Sequence, residues 1–147
     1  MEYTIDLTVL KALVDEEVAK VADGAYSDSG ESLFDSVVLT SRDDALVARA
    51  IEDAVHAFVA RAFDICKYIT RDESEDDRLI FHVPDFDDTM EGAALSEITH
   101  YVVFAATAAI LVSRRAQAVP EYNDRAQAAL TKAITLLKSR KDPVSQW

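Results

Sequence analysis

One cysteine, three glycines and three prolines in 147 residues leave this chain short of covalent staples and of turn-makers. The lone Cys66 excludes an internal disulfide, and no paired-cysteine zinc motif is possible. So little Gly and Pro argues against a fold of many tight turns and, with Ala, Leu and Val plentiful, for long helices. Positive charge is also scarce. Fifteen Lys and Arg stand against 27 Asp and Glu, and the formal charge of −12 disfavours general attraction to nucleic acid or to an anionic membrane. Met1 is not followed by a basic region and an apolar stretch, so no export signal is expected, and synthesis is expected in a cytoplasm, including that of an infected cell assembling virions. The most apolar stretch, Tyr101 to Val112, falls short of the roughly 20 uninterrupted apolar residues of a membrane span. A Gly-rich phosphate loop, a nucleophile elbow and an aromatic–basic nucleic-acid surface are all missing, so no catalytic residue and no cofactor is assigned.

What the chain does have is apolar residues at helical spacing, half of its residues being hydrophobic. That is enough for one well-filled core and a single domain over 1–147. The densest stretch is Leu95 to Ala116. At 100° per residue it places Leu95, Ile98, Val102, Ala105, Ala106 and Ala109 on one side, with Phe104 and Leu111 near the opposite side. A helix apolar nearly all round is expected at the centre of a bundle, one side on its own core and the Phe104 and Leu111 side against another copy.

The rest reads as wrapping. Val9, Leu10, Leu13, Val14, Val18 and Val21 mark a first amphipathic helix ending near Gly24. Residues 26–39 read as a long loop, either mobile or held by a partner through Leu33, Phe34 and Val37 to Leu39. Thr40 or Ser41 then caps a second helix, with Asp43 and Asp44 in its positively polarised first turn. Val47, Ile51, Ala54, Val55, Phe58, Ala62 and Ile65 form its inner face. Tyr68 to Thr70 and Leu79 to Val83, with acid between them, predict a β-hairpin that needs support from the helices or from another chain. Val119-Pro120 breaks the central helix and begins a last one, striped by Ala126, Leu130, Ala133, Ile134 and Leu137. Lys138, Arg140 and Lys141 should crowd its C-terminal turn, Asp142-Pro143 should stop it, and 143–147 should be a loose tail. The predicted fold class is therefore mainly α, four principal helices in a bundle with one β-hairpin insertion.

Two constellations bear on chemistry. Asp53-x-x-His56 and Glu97-x-x-His100 each set a carboxylate and an imidazole on one helical side, as dimetal (ferritin-like) bundles do. Such bundles also need bridging Glu residues pointing inward, whereas both pairs here point away from the inferred core, so no metal ligand is assigned. Asp88-x-x-Glu91 and Glu121-x-x-Asp124 could suggest the Mg²⁺ site of an all-α nucleotide pyrophosphatase, but acid near a helix start is expected from the dipole alone. An acidic inhibitor of a basic protein is a further non-enzymatic alternative.

The order of elements, a helix, an acidic loop, DDALVARAIEDAVHAFVARAFDI, a hairpin, ALSEITHYVVFAATAAILVSRR and a shorter helix, resembles the head–tail connector proteins of tailed bacteriophages over residues 40–140. The long 26–39 loop is a departure from that family. The resemblance implies a non-enzymatic ring subunit joining portal to tail around the channel through which DNA passes. Charge agrees with self-assembly, because residues 1–91 hold 8 basic and 23 acidic side chains, for −15, and residues 92–147 hold 7 and 4, for +3. The expected partner is another copy or another virion component. Asp43 and Asp44 of one subunit would meet Arg114, Arg115, Lys138, Arg140 or Lys141 of the next, with Phe104 and Leu111 burying apolar area between them.

Overall fold

The structure, a computed structural model, describes the backbone of residues 1–64, 68–72 and 75–140 and the side chains of 1–64 and 78–140. Ile65, Cys66, Glu73, Lys141 and the expected tail lie outside the described residues. The molecule is mainly helical, with four principal helices and an antiparallel hairpin. The chain opens with strand β1 (Glu2–Thr4) and continues with α1 (Leu7–Asp23), a single turn α2 (Phe34–Val37) and α3 (Asp44–Ala62). Hairpin strands β2 (Tyr68–Asp72) and β3 (Glu75–His82) follow, then α4 (Glu91–Arg114) and α5 (Val119–Leu137).

Each helix starts where local chemistry satisfies free N–H groups. Asp6 caps α1 by accepting from the Val9 N–H at 3.2 Å. Thr40 and Asp43 form a reciprocal capping box leading through a 3₁₀ turn into α3, the Asp43 carboxylate accepting from the Thr40 N–H at 2.8 Å. Asp87 accepts from the N–H and hydroxyl of Thr89 at the entry to α4. Pro120 occupies the first turn of α5, where a missing N–H costs nothing.

α4 is the hub. It packs most extensively on α5, then on α3 and α1, and one continuous core runs from Tyr3 to Leu137. Ala108 of α4 and Ala126, Ala129 and Ala133 of α5 are buried, small side chains that let antiparallel neighbours approach closely. The single buried polar side chain among the described residues, Thr107, donates to the Val103 carbonyl at 2.7 Å. By length and composition alone, Asp88–Arg114 could cross a membrane; in this fold it is packed by three other helices.

The inner face expected for α3 is the observed one, with Val47, Ile51, Ala54, Val55, Phe58 and Ala62 all buried. α1 differs at one point, since Leu10, Val14, Val18 and Ala22 make its buried stripe while Val9 is exposed. Residues 26–39 are fastened by contacts within the chain itself. A Tyr26–Ser32 bridge closes a tight turn around Gly30 at φ 83°, the Leu33 N–H donates to the Ala25 carbonyl, and Val37 is fully buried. The last helix also stops earlier than Asp142-Pro143, at Leu137, and the chain then returns as a Phe86–Arg140 bridge.

The hairpin's support comes from the chain's own beginning. β1 pairs antiparallel with β3 in register Tyr3↔Leu79, giving a three-stranded sheet in the order β1-β3-β2. Alternation in β3 sends Leu79 and Phe81 inward, where the Phe81 ring meets Phe58 of α3 edge-on at 6.1 Å. Phe58 also touches Tyr101 of α4 at 5.8 Å, and the Thr99 hydroxyl donates to the Tyr3 oxygen at 3.3 Å. The sheet is thereby seated on α3 and α4.

Val102 is fully buried on α4. Val102→Asp should cost at least about 3 kcal/mol by placing an unpaired carboxylate there. A thermal melt indistinguishable from wild type would mean that α4 is not the core helix.

Candidate functional site

The residues expected to bridge subunits are largely engaged inside one chain. At the end of α4, Arg114 donates through Nη2 to Asp43 Oδ1 at 2.7 Å and through Nη1 to the Val38 carbonyl at 3.1 Å. Both side chains are 19% exposed. The expected pairing of acid with base is thus present, but within the molecule, where folding rather than association brings the partners together. Asp43 is held below the ordinary carboxylate range, first by the Thr40 N–H and then by the Arg114 guanidinium, which together outweigh the opposite push of burial. Arg140 donates to the Leu137 carbonyl at 2.9 Å, capping α5. Asp44 is exposed beside a shallow groove with Lys11, Asp15 and Leu39, Lys138 is exposed, and Lys141 is outside the described residues.

Leu111 is fully buried and offers no surface to another copy. The expectation failed because helical angle does not say how many sides the chain itself will cover, and here the chain's own core covers that one. Phe104 is half-buried. Its ring lies 6.0 Å from His100 and 6.2 Å from Tyr122, with the Arg125 guanidinium 5.9 Å above it.

Around Phe104 lies a cluster that sequence reasoning missed. The Tyr122 hydroxyl donates to Glu17 Oε2 at 2.9 Å, and Arg125 sits 5.1 Å over the Tyr122 ring. Arg125 is 2.6 Å from Glu121 and 3.9 Å from Glu17, which Lys20 also approaches at 3.2 Å. Burial pushes the Tyr122 phenol up to about 12, and the adjacent Glu17 carboxylate pushes the same way. Tyr122 and Arg125, three apart on α5, were legible as one face; Glu17, 105 residues from Tyr122, was not. Grooves of about 410 and 370 Å³ flank this cluster, one running past Leu13, Ser96 and His100, the other past Gly24, Arg115 and Gln117. Every charge at the centre of the cluster has an opposite partner within the chain, and its chemistry is that of a lock between α1, α4 and α5.

The carboxylate–imidazole pairs do not converge. His56 lies 3.8 Å from Glu52 rather than pairing with Asp53, and His100 lies 3.5 Å from Glu97, all four histidine and carboxylate partners being on outer helix faces. Among the described residues no three His, Cys, Asp or Glu side chains are grouped to hold a metal. Asp88 and Glu91 sit at the entry to α4, and Glu121 is engaged by Arg125.

A different surface stands out. Leu46, Arg49, Ala50 and Asp53 of α3 and Ala109 and Ile110 of α4 line a groove of about 260 Å³. Leu46 is 44% exposed, and Val112, one turn beyond Ala109, is 62% exposed. No family model matches the chain, and no curated protein or solved structure matches it.

Two titrations test this description. The Asp43 carboxyl is lowered on folding, so its stabilisation is fully present above the unfolded carboxylate range and is lost as pH falls through the folded value. Arg114→Met should therefore lower the melting temperature at pH 7, and the gap to wild type should narrow below about pH 4; an undiminished gap in acid would rule out the ion pair as its cause. The Tyr122 phenol is raised, so its stabilisation holds below about pH 10 and is lost as pH rises through the folded value. Ultraviolet titration should show a phenol ionising near 12, missing from Tyr122→Phe, and a difference between the two curves centred at about pH 10 would dismiss the shift.

Proposed function

We propose that this chain is a non-enzymatic structural subunit that assembles with copies of itself or with another component of a larger assembly. The observation that carries the reading is the exposure of Leu46 in a groove lined also by Ala50, Ala109 and Ile110, with Val112 exposed one turn beyond Ala109 on α4. Large apolar side chains grouped on a surface mark contact sites more than single exposed ones do. Association there would bury them with little rearrangement, because α3 and α4 are already fixed by the core. The finer form of the proposal is a head–tail connector of a tailed bacteriophage. Its support is the resemblance of residues 40–140, and the role would be to occupy a joint between larger components rather than to transform a substrate.

Light scattering over a concentration series, alone and mixed with portal-type rings, tests the reading. Association is expected, weakened by Val112→Glu at unchanged melting temperature. Phe104→Glu and Arg114→Glu are unsuitable probes, since they would disrupt the Tyr122 and Asp43 contacts within the subunit. A chain monomeric at every concentration and with every partner would overturn the proposal.

A further inference from the structure

Arg49 and Asp53 stand four residues apart on the exposed side of α3, at the rim of the Leu46–Ala109 groove. That spacing permits an ion pair within the helix. Among the described residues neither side chain makes one, although Glu52 and His56 on the adjoining face lie within 3.8 Å of each other. The patch thus carries one unmatched cation and one unmatched anion beside exposed apolar surface. A surface of both signs is complementary to itself when turned through a half rotation about an axis perpendicular to the helix, which runs the second helix antiparallel to the first.

Resting on the assembly reading above, we propose that this face is a two-fold contact between copies of the chain, α3 crossing α3 so that Arg49 of each copy meets Asp53 of the other. In that register Leu46 of one copy comes over the exposed Ala57 of the other, where a small side chain leaves room. Apolar burial around Leu46 and the groove supplies affinity, and the two reciprocal ion pairs fix direction and register. A parallel arrangement would set Arg49 against Arg49, so the charges select one orientation. The contact closes on itself, making a pair the unit from which any larger assembly is built.

The test is a charge exchange read by sedimentation equilibrium. Arg49→Asp and Asp53→Arg are both changes at exposed positions, and circular dichroism of each variant confirms folding. Wild type should pair, and each variant alone should pair roughly tenfold more weakly or worse, because both contacts become like-charged. An equimolar mixture of the two variants should recover pairing, since each contact then again sets a carboxylate of one variant against a guanidinium of the other. Wild-type association that ignores both substitutions, or a mixture that recovers nothing, would overturn this contact while leaving assembly through another surface intact. A wild type that never associates with itself would overturn both this contact and self-assembly, leaving only association with a different component.

Discussion

The constraint on which the rest of the molecule depends is that α4 has almost no side that water can cover cheaply. Between Ala94 and Leu111 it buries nine side chains spread around its circumference. No single neighbouring helix can cover so wide a surface. α5 takes one side, α3 another and α1 a third, and the sheet closes the space that Phe58, Phe81 and Tyr101 share. The other elements are short or long as that covering requires. Even the 26–39 segment serves it, delivering Val37 to the core before the chain turns into α3.

At its C-terminal end α4 is secured differently, by charge. One guanidinium joins the end of α4, the carbonyl of Val38 and the start of α3 through Asp43. The planar donor fork of arginine suits this use, reaching two acceptors from one side chain. Asp43 serves twice, since the same carboxylate closes the capping box with Thr40. Helix initiation and helix–helix attachment are therefore coupled at one residue. At the other side of α4, Tyr122 and Arg125 play a comparable part with Glu17, and Phe104 supplies the aromatic floor beneath them. Asp43 and Arg114, which looked like material for joining subunits, join two helices of one subunit instead.

The long periodic segments were legible in the sequence because a 3.6-residue repeat over several turns has few alternative explanations. α3 shows this best, its inner face from Val47 to Ala62 being the one read from spacing. β1 escaped because Glu2–Thr4 offers a single inward residue, Tyr3, and one residue has no period. Its identity as a strand comes from β3, nearly 80 positions away. The same distance defeated the reading of Arg114. Composition announced an excess of acid early and of base late, but whether such charges meet within a chain or between chains is decided by tertiary geometry. Leu111 failed for a related reason. A helical wheel reports which residues share a side, and only the number of neighbours decides whether that side is left open. Of the surface now favoured, Asp53 was read only as part of a pair pointing away from the core, while Arg49 and Leu46 carry no signal until Ala109 and Ile110 stand beside them.

The placement of β1 bears on how the molecule comes into being. The amino group of Met1 donates to the Phe81 carbonyl across 80 positions, and β3 is the middle strand, so β1 has no seat until β3 has been made. α1 and α3 can form locally within microseconds, whereas closing so long a loop is an entropic step that must wait for its far end. During synthesis Tyr3 and its neighbours are a dangling strand with unpaired backbone, of the kind that pairs with whatever edge is nearest. The arrival of β3 converts that liability into a clasp, one strand holding two segments that lie far apart in the sequence.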